Sequence, residues 1–427
     1  MPATVILGGQ WGDEGKAKVV DYLMPGHDVV IRFQGGANAG HTVVNDRGTF
    51  KFHQIPSGIL YPGVIGVLGN GMVVDPVSFL EELNGLTGRG VEVDGRLFIS
   101  SAAQVVMPQH KFLDNLLEGE RKKDRIGSTG KGIGPTYSDK HRRSGMRMSD
   151  FLLPREPFHA LIEEKIAEGN RRVEIYGAPP LSKKQVAAEF MTLRDRIAPF
   201  IVDTQHLIHL WKGEGKKILL EGAQGTLLDI DHGTYPFVTS SNCTIGGALT
   251  GTGLGPRDIG TVVGIMKAYT TRVGNGPFPT ELEDATGECL RERGGEFGTT
   301  TGRPRRCGWL DLVAARYAVM LNGFDEIALT KLDVLSGQDT IRVCVAYEVD
   351  GRRTEDFPQR ADILERCTPV WEELPGWEDA PLGSGAFDSL PEAAREYVMF
   401  LERRLDVPIT FVSTGPERES TIIRKQS

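Results

Sequence analysis

The chain has 427 residues, 40% of them hydrophobic and 25% charged, a balance that excludes a disordered or fibrous protein. Its 49 lysines and arginines against 57 aspartates and glutamates give a formal charge of −8, so no overall basic field would hold it on nucleic acid or an anionic membrane. Five scattered cysteines without a Cys-x-x-Cys pair, and the absence of an apolar leader after Met1, predict a cytoplasmic protein.

Short runs of β-branched residues recur along the chain and predict strands buried on both faces, as in parallel sheets. They cover residues 5–7, 29–33, 64–68, 217–220, 261–265, 327–329 and 409–412. Helical patterns lie between them at residues 17–23, 77–83, 158–167, 183–197, 310–321 and 391–405. We therefore predict an α/β fold: a large central, mostly parallel sheet flanked by helices, with small antiparallel appendages such as a hairpin at Asp350. No repeat or linker divides the chain, so we expect a single elaborated domain over residues 1–427.

The first predicted strand runs into a glycine-rich loop at residues 8–16, and a helix follows. Such a loop presents backbone N–H groups and a helix N-terminus to an anion, and Lys16 adds a positive charge. The spacing departs from the common P-loop, because Gln10 replaces a glycine and Ala17 replaces the usual hydroxyl residue. Asp13 is then the available hard oxygen ligand, with a backbone carbonyl, for a magnesium ion that also contacts phosphate. The alternative interpretation is a structural tight turn.

Further glycine-rich segments follow later strands. In residues 34–42, His41 stands in a polar loop and is a candidate acid or hydrogen-bond donor at a phosphate, although a lone histidine is usually structural. Residues 127–145 and 222–256 are polar and lack periodicity, so we predict long loops there, which in a compact domain are more often functional than simple surface connections.

The predicted strand at residues 327–329 leads into Thr330-Lys331-Leu332-Asp333, which resembles the guanine-reading Asn-Lys-x-Asp of GTPases. A carboxylate at Asp333 can accept from both the ring N–H and the exocyclic amino group of guanine. Adenine lacks that amino group and would leave the carboxylate facing a lone pair. Together with the phosphate loop, these residues predict a P-loop-like site for GTP; alone, they could be surface residues at the end of a strand.

Gln10 to Lys16 also resembles the signature of the adenylosuccinate synthetases. The resemblance continues in order along nearly the whole chain, and one departure is Ala17, where the family usually has glycine. The blocks that carry it are residues 35–42, 132–143, 221–233, 299–305, 330–333 and 413–416.

The resemblance implies a ligase that depends on GTP and Mg²⁺ and joins IMP to L-aspartate, giving adenylosuccinate, GDP and phosphate on the route to AMP. The 6-oxo group of IMP is a poor leaving group. The family therefore first transfers the γ-phosphate of GTP to that oxygen, and the aspartate amine then displaces phosphate from the 6-phosphoryl-IMP intermediate.

Residue roles follow from the same resemblance. Asp13 is implied as the base that removes the ring proton of IMP, His41 as the acid and Gln224 as the amide on the 6-oxygen, with Lys140 as a further catalytic residue and Asp13 with Gly40 as magnesium ligands. The implied GTP-binding residues are Gly12, Gly15, Lys16, Gly40, Thr42, Arg305, Lys331, Asp333, Ser413, Thr414 and Gly415. The implied IMP-binding residues are Asp13, Lys16, Asn38, His41, Thr129, Arg143, Gln224, Thr239 and Arg303.

The remaining implications concern L-aspartate and the second subunit. Thr299, Thr300 and Thr301 with Arg303 are implied to bind L-aspartate, on a loop that closes over it with Gly302 as a hinge. Arg143 matches a residue that reaches the 5′-phosphate of IMP from the neighbouring subunit, so the resemblance implies a homodimer with a shared site.

Two other functions remain to be weighed. A regulatory GTPase would explain the phosphate loop and Asp333, but not the missing hydroxyl at Ala17 or the threonine- and arginine-rich loop. A related synthetase could use a guanine nucleotide in place of IMP. Such relatives lack an acid at the position of Asp13, so the presence of this residue favours IMP.

Overall fold

A computed structural model describes residues 2–45, 47–121, 125–298 and 302–424. Its strands are β1 (Ala3–Gly8), β2 (Val29–Arg32), β3 (His41–Asn45), β4 (Gly48–Phe52), β5 (Ile65–Leu68), β6 (Val73–Val74), β7 (Leu97–Ser100), β8 (Gln104–Val105), β9 (Ile201–Val202), β10 (Ile218–Glu221), β11 (Ile259–Lys267), β12 (Thr270–Arg272), β13 (Arg306–Gly308), β14 (Leu310–Asp311), β15 (Glu326–Thr330), β16 (Thr340–Val349), β17 (Arg352–Thr354), β18 (Thr368–Pro375), β19 (Ile409–Ser413) and β20 (Thr421–Ile423). Its α-helices are α1 (Lys16–Leu23), α2 (Pro76–Thr87), α3 (Pro108–Glu120), α4 (Ile133–Arg142), α5 (Arg155–Ile175), α6 (Lys183–Ile197), α7 (Thr204–Gly213), α8 (Ile245–Thr252), α9 (Ala285–Gly294), α10 (Leu312–Asn322), α11 (Ala361–Leu364) and α12 (Glu392–Leu405).

The described strands form a central sheet in the order β20-β19-β15-β11-β1-β10-β2-β5-β7-β9. Every neighbouring pair in it is parallel except β19 and β20. All seven predicted strands belong to this sheet, which confirms the predicted fold class. Successive residues of β1 point into different apolar clusters, Val5 and Leu7 into one and Ile6 into another, as expected for a strand covered by helices on both faces.

Small sheets surround the central one. The strand pairs β3–β4 and β12–β13 are antiparallel, and β16 pairs antiparallel with both β17 and β18. The predicted hairpin is the turn between β16 and β17, where Asp350 and Gly351 both have positive φ. Two further pairs, β6–β8 and β14–β16, are parallel, so the appendages are only mostly antiparallel.

The prediction of long loops at residues 127–145 and 222–256 was wrong in part, because the first contains α4 and the second contains α8. Their glycines suggested irregular structure but serve close packing. In α8, a Cβ at Gly251 would come within 2.0 Å of the carbonyl oxygen of Phe33, so only glycine lets the helix approach the end of β2 this closely. The single domain over residues 1–427 stays a prediction.

The parallel order brings the ends of β1, β2, β10 and β15 to one edge of the sheet, and the polar loops of the candidate site follow these four strands. Ligands of open α/β sheets bind at this carboxyl edge. Within the described ranges, no helix combines the length and apolarity that would carry it across a bilayer.

Candidate active site

A cleft of about 1170 Å³ opens at the carboxyl edge of the sheet. The loops after β1, β2 and β10 form much of its wall, so residues far apart in the sequence meet there. The predicted residues that line it are Gly12, Asp13, Gly15, Lys16, Asn38, Gly40, His41, Thr42, Thr129, Gln224, Thr239 and Arg305. Most of the proposed phosphate-binding and IMP-binding groups therefore share one cavity.

The phosphate loop is organised around the buried carboxylate of Glu14. Its Oε1 accepts hydrogen bonds from the N–H groups of Gln10, at 3.1 Å, and Gly12, at 2.9 Å. Its Oε2 lies 2.6 Å from Nζ of Lys16. The expectation that successive loop N–H groups face the anion is thus only partly right, since Glu14 holds two of them.

Backbone conformation fixes two of the candidate catalytic side chains. Asp13 and Gln224 both have positive φ, 59° and 58°, a conformation that side-chain-bearing residues adopt rarely and that clusters at functional sites. Gln34 supports Gln224: its amide nitrogen donates to Oε1 of Gln224 at 3.1 Å and to the Ala223 carbonyl at 2.9 Å. The amide of Gln224 is therefore held in one orientation at the cleft.

Asp13, whose side chain retains 33% exposure, begins a chain of ion pairs that leads into the interior. Nε of Arg305 lies 2.8 Å from Oδ2 of Asp13, and Nη1 of Arg305 lies 2.6 Å from Oε2 of Glu296. Lys267 pairs with the other oxygen of Glu296 at 2.8 Å. Burial raises the pKa of Glu296, but the charges of Lys267, Lys331 and Arg305 outweigh burial and lower this pKa to about 2. The carboxylate is therefore ionised at neutral pH.

His41 stands at the start of β3 and contacts a buried carboxylate. Its Nδ1 lies 2.5 Å from Oε1 of Glu221, whose other oxygen accepts from the N–H of Ser57 at 2.9 Å. Burial lowers the pKa of His41, and the hydrogen bond to Glu221 opposes this effect. Since Glu221 is the partner of Nδ1, Nε2 is left as the nitrogen available to the cleft.

The predicted guanine-reading residues lie beside the phosphate loop. Thr330 donates from its hydroxyl to the Glu14 carbonyl at 2.6 Å, which ties the end of β15 to this loop. Asp333 is half-buried, and its Oδ1 is buried without a hydrogen-bond partner, as an acceptor awaiting a donor would be. Burial raises the pKa of this carboxyl group.

Lys18 on α1 connects the phosphate loop with the predicted turn at residues 413–415. Its ammonium donates to Oγ of Ser413 and to the Gly415 carbonyl, both at 2.7 Å. Thr414, between them, donates from its hydroxyl to the Gly383 carbonyl at 2.5 Å. The predicted turn at residues 413–415 is therefore fastened to α1, the helix that begins at the phosphate loop.

Other predicted residues lie elsewhere in the described part of the chain. Lys140 on α4 sits over the ring of Tyr137, 5.5 Å from its centroid. Arg143 is exposed and ends α4 with a φ of 63°. Arg303 is exposed on the segment that returns from the proposed aspartate loop. Neither Lys140, Arg143 nor Arg303 is among the described residues that line the cleft. Thr299, Thr300 and Thr301 fall outside the described residues.

Several residues that contact the candidate site residues were not predicted from the sequence: Gln34, Lys18, Glu14, Glu221 and Glu296. Glu14 and Lys18 stand inside or beside the phosphate signature, so the signature could have drawn attention to them. Glu221 and Glu296 acquire a role only through partners far away in sequence, and an isolated glutamate carries no such signal.

The residues present fit a magnesium ion held jointly with phosphate. The Asp13 carboxylate and the Gly40 carbonyl offer the hard oxygen ligands that Mg²⁺ prefers, and both residues line the cleft. The described residues contain no group of three or more His, Cys, Asp and Glu side chains able to hold a metal. Oxygens of the nucleotide would therefore have to complete the ion's coordination.

Comparison with known proteins gives one consistent result. The profile of the adenylosuccinate synthetase family matches residues 5–422. Adenylosuccinate synthetases of Prochlorococcus marinus and Moorella thermoacetica are 51% and 50% identical over 424 residues, covering 99% of this chain and 97% and 99% of theirs. A fully ligated adenylosuccinate synthetase from Plasmodium falciparum superposes with a TM-score of 0.94 at 39% identity, covering 100% of both chains. A cyanophage S-2L succinoaminodeoxyadenylate synthetase matches with a TM-score of 0.62 at 22% identity, covering 100% of this chain and 96% of its own, and shows the fold alone.

Proposed function

The chain belongs to the adenylosuccinate synthetase family, and from this membership we propose how its residues divide the reaction of that family. It is a ligase that joins IMP to L-aspartate with consumption of GTP, in the biosynthesis of AMP. The observation that carries the assignment of roles is the meeting of Asp13, His41 and Gln224 with the phosphate loop in one cleft.

Asp13 is proposed as the base. It takes the proton from the ring nitrogen of IMP next to the 6-oxo group, and the electron pair moves to the 6-oxygen, which attacks the γ-phosphorus of GTP. GDP leaves, and 6-phosphoryl-IMP is formed. The aspartate amine then attacks carbon 6 of this intermediate and displaces phosphate. The positive φ of Asp13 and its contact with Arg305 support the interpretation that this carboxylate is held in place. Its orientation toward the ring proton would then contribute to the rate of the reaction.

Two side chains would stabilise the charges that develop. The Gln224 amide, held by Gln34, can donate to the 6-oxygen as it becomes anionic. His41 can donate from Nε2 to phosphate as charge builds on the departing GDP, while Glu221 fixes the ring through Nδ1. Lys16 adds a positive charge at the phosphates. Lys140 is retained as a further candidate for catalysis.

Magnesium is proposed as the cofactor, held by Asp13 and Gly40 together with phosphate. When bound, the ion would neutralise phosphate charge during the transfer. Asp13 would then serve both metal and ring, which its two carboxylate oxygens allow.

Guanine is proposed to bind between Lys331, Asp333 and the turn of Ser413, Thr414 and Gly415. The partnerless Oδ1 of Asp333 supports this position, because guanine offers two donors on one edge. Phosphates would lie along Gly12, Gly15, Lys16 and Thr42, with Arg305 at the reacting end.

IMP is proposed to contact Asn38, Thr129, Thr239 and Arg303, and L-aspartate to contact Thr299, Thr300, Thr301 and Arg303. Nδ2 of Asn38 donates to Oγ1 of Thr239 at 3.4 Å, so these two groups are already adjacent. Arg143 is exposed at the end of α4, which agrees with a role across a homodimer interface. The dimer, like the cytoplasmic location, stays a prediction.

A product assay by mass tests the proposal. Adenylosuccinate should form only when IMP, L-aspartate and GTP are all present, with each omitted in turn as a control. With heavy oxygen at the 6-position of IMP, the label should appear in the released phosphate, since that oxygen leaves bound to phosphorus. Label that stays out of the phosphate would contradict the route through 6-phosphoryl-IMP.

The same assay addresses the alternatives. A regulatory GTPase would hydrolyse GTP without IMP and L-aspartate. A synthetase for guanine nucleotides would form product from GMP or dGMP in place of IMP. The family match argues against a regulatory GTPase, and the presence of Asp13 argues against a synthetase for guanine nucleotides.

A further inference from the structure

We propose that Glu296 is a positioning residue, one buried carboxylate that orients Arg305 at the reacting end of GTP and Lys331 at its guanine end. The inference rests on the proposed function for the roles of those two cations. Glu296 itself is fully buried and is not among the described residues that line the cleft.

The contacts of Glu296 divide between its two oxygens. Oε2 lies 2.6 Å from Nη1 of Arg305. Oε1 lies 2.8 Å from Nζ of Lys267 and also accepts from the hydroxyl of Tyr269. Both Glu296 and Lys267 are fully buried, whereas Arg305 retains 10% exposure of its side chain. One oxygen thus neutralises an interior lysine, and the other is reserved for an arginine that reaches the cleft.

The guanidinium of Arg305 is restrained mainly through one nitrogen. Nη1 donates to Oε2 of Glu296 at 2.6 Å, whereas Nε lies 2.8 Å from Asp13 as an ion pair and makes no hydrogen bond. The main chain adds to the restraint, because the N–H of Arg305 donates to the Glu296 carbonyl at 2.9 Å. A flexible side chain is thereby oriented before substrate arrives, which is how a second layer of residues commonly supports a reacting group.

Glu296 and the residues just before it also contact Lys331, which belongs to the proposed guanine site. Nζ of Lys331 lies 3.6 Å from Oε1 of Glu296 and donates to the carbonyl of Gly294, two residues earlier. Lys331 itself has a φ of 59°, so its backbone is set in a left-handed turn at the end of β15. Residues 294–296 therefore connect the base-reading lysine with the arginine beside Asp13.

A role in folding alone would not require the second contact. Buried ion pairs stabilise proteins little, because desolvation of the charges offsets their attraction, and apolar replacements are often tolerated. A partner for Lys267 alone would need a single carboxylate oxygen. The direction of the other oxygen toward a cleft-lining arginine is what assigns Glu296 to the site.

The test is Glu296→Gln, which keeps the shape of the side chain and removes its charge. We expect kcat/KM for GTP to fall at least about tenfold, the usual effect of losing such a supporting contact. Calorimetric affinity for a non-hydrolysable GTP analogue, which carries the terminal phosphate that Arg305 would face, should weaken as well. The matched control is Glu281→Gln. Nε of the neighbouring Arg306 donates to Oε1 of Glu281 at 2.7 Å, and Glu281 is not among the described residues that line the cleft. The control should keep wild-type kinetics.

Two double variants separate positioning from folding. In Lys267→Met/Glu296→Gln, both buried charges are removed, so thermal stability should recover while the loss in kcat/KM remains. In Arg305→Leu/Glu296→Gln, the second substitution should cost clearly less than it does in the wild-type background, because its action through Arg305 is already lost and only the contact with Lys331 remains. Recovery of kcat/KM in the first, or additive losses in the second, would overturn the proposal.

These outcomes are distinct from a failure of the proposed function. Wild-type protein that turns over no GTP with IMP and L-aspartate would refute the function. The affinities of the same variants for the non-hydrolysable GTP analogue would still decide the role of Glu296, with equal affinity in Glu296→Gln and wild type counting against it.

Discussion

Replacement of Asp333 by asparagine should reduce the preference for GTP over inosine triphosphate. The two nucleotides share the ring N–H but differ in the exocyclic amino group, which only guanine has. In the wild type, the Asp333 carboxylate can accept from both donors of guanine and from one of hypoxanthine. Asparagine retains one acceptor oxygen and turns an NH₂ group toward these donors, so GTP loses more than inosine triphosphate does.

The size of this effect follows from the burial of the acceptor. Oδ1 of Asp333 is shielded from solvent and has no protein partner, so water does not replace the lost contact. A hydrogen bond to a charged group contributes about 1.5–3 kcal/mol, which corresponds to about a 10- to 150-fold change in the ratio of kcat/KM values. We expect the ratio for GTP over inosine triphosphate to fall by that factor.

Steady-state kinetics with both nucleotides, at saturating IMP and L-aspartate, measure this ratio. Asp379→Asn is the matched control, because Asp379 is exposed and pairs with Arg293, whose charge also acts on Asp333. This control removes a nearby negative charge without touching the guanine edge, and its ratio should equal that of the wild type. An unchanged ratio in Asp333→Asn would refute base reading by this carboxylate.

Three further predictions concern the phosphate end of the site. Asp13→Ala should abolish adenylosuccinate formation and lower the melting temperature modestly, because alanine is strained at this positive φ; Asp13→Asn, which tolerates the positive φ, should be equally inactive with little change in melting temperature, and product formation by either variant would remove Asp13 as the base. Gly8→Ala should cost about 1–3 kcal/mol of unfolding free energy and weaken GTP binding, because its Cβ would come within 2.5 Å of Glu14; urea titration against Gly26→Ala, which has open space around it, checks this, and equal stabilities would contradict it. Because burial lowers the pKa of His41, its ring is mostly neutral near pH 7 and should take up a proton when the phosphates of a GTP analogue bind. This uptake should vanish below the pKa of the free ring, where the ring is already charged, reach its maximum between the pKa of the free ring and that of the bound ring, and fall again at higher pH; calorimetry in buffers of different ionisation enthalpy measures it, and the same uptake in His41→Asn would rule out His41 as its source.

The centre of the fold was predictable because each strand there is a continuous apolar run. The run at residues 5–7 became β1, and those at residues 217–220 and 261–265 became its two neighbours. The outer strand β9 has only two residues and could not be recognised in this way. Helix α8 was missed for a different reason: its glycines imitate a loop, although they serve close contact with β2.

Residues of the candidate site that carry a local motif could be selected from the sequence, whereas those defined by distant partners could not. Asp13, Lys16 and His41 stand in glycine-rich segments directly after predicted strands, and the sheet brings these segments together. Glu221 and Glu296 sit in ordinary surroundings in the sequence, and only folding brings His41 to the first and Lys267 to the second. Burial and charge pairing, which define both roles, are properties of the folded chain.

The hydrogen bond from Thr330 to the Glu14 carbonyl has a consequence for the length of the nucleotide. Because it joins the strand that precedes Asp333 to the loop that precedes Lys16, it holds the proposed guanine and phosphate sites at a set distance from each other. The protein therefore sets the distance between the two sites, and a nucleotide bound by its base would have to span this distance with its ribose and phosphates. In the proposed binding mode, a nucleoside triphosphate would then bring its terminal phosphorus to Asp13 and Arg305, and a shorter nucleotide would not reach them.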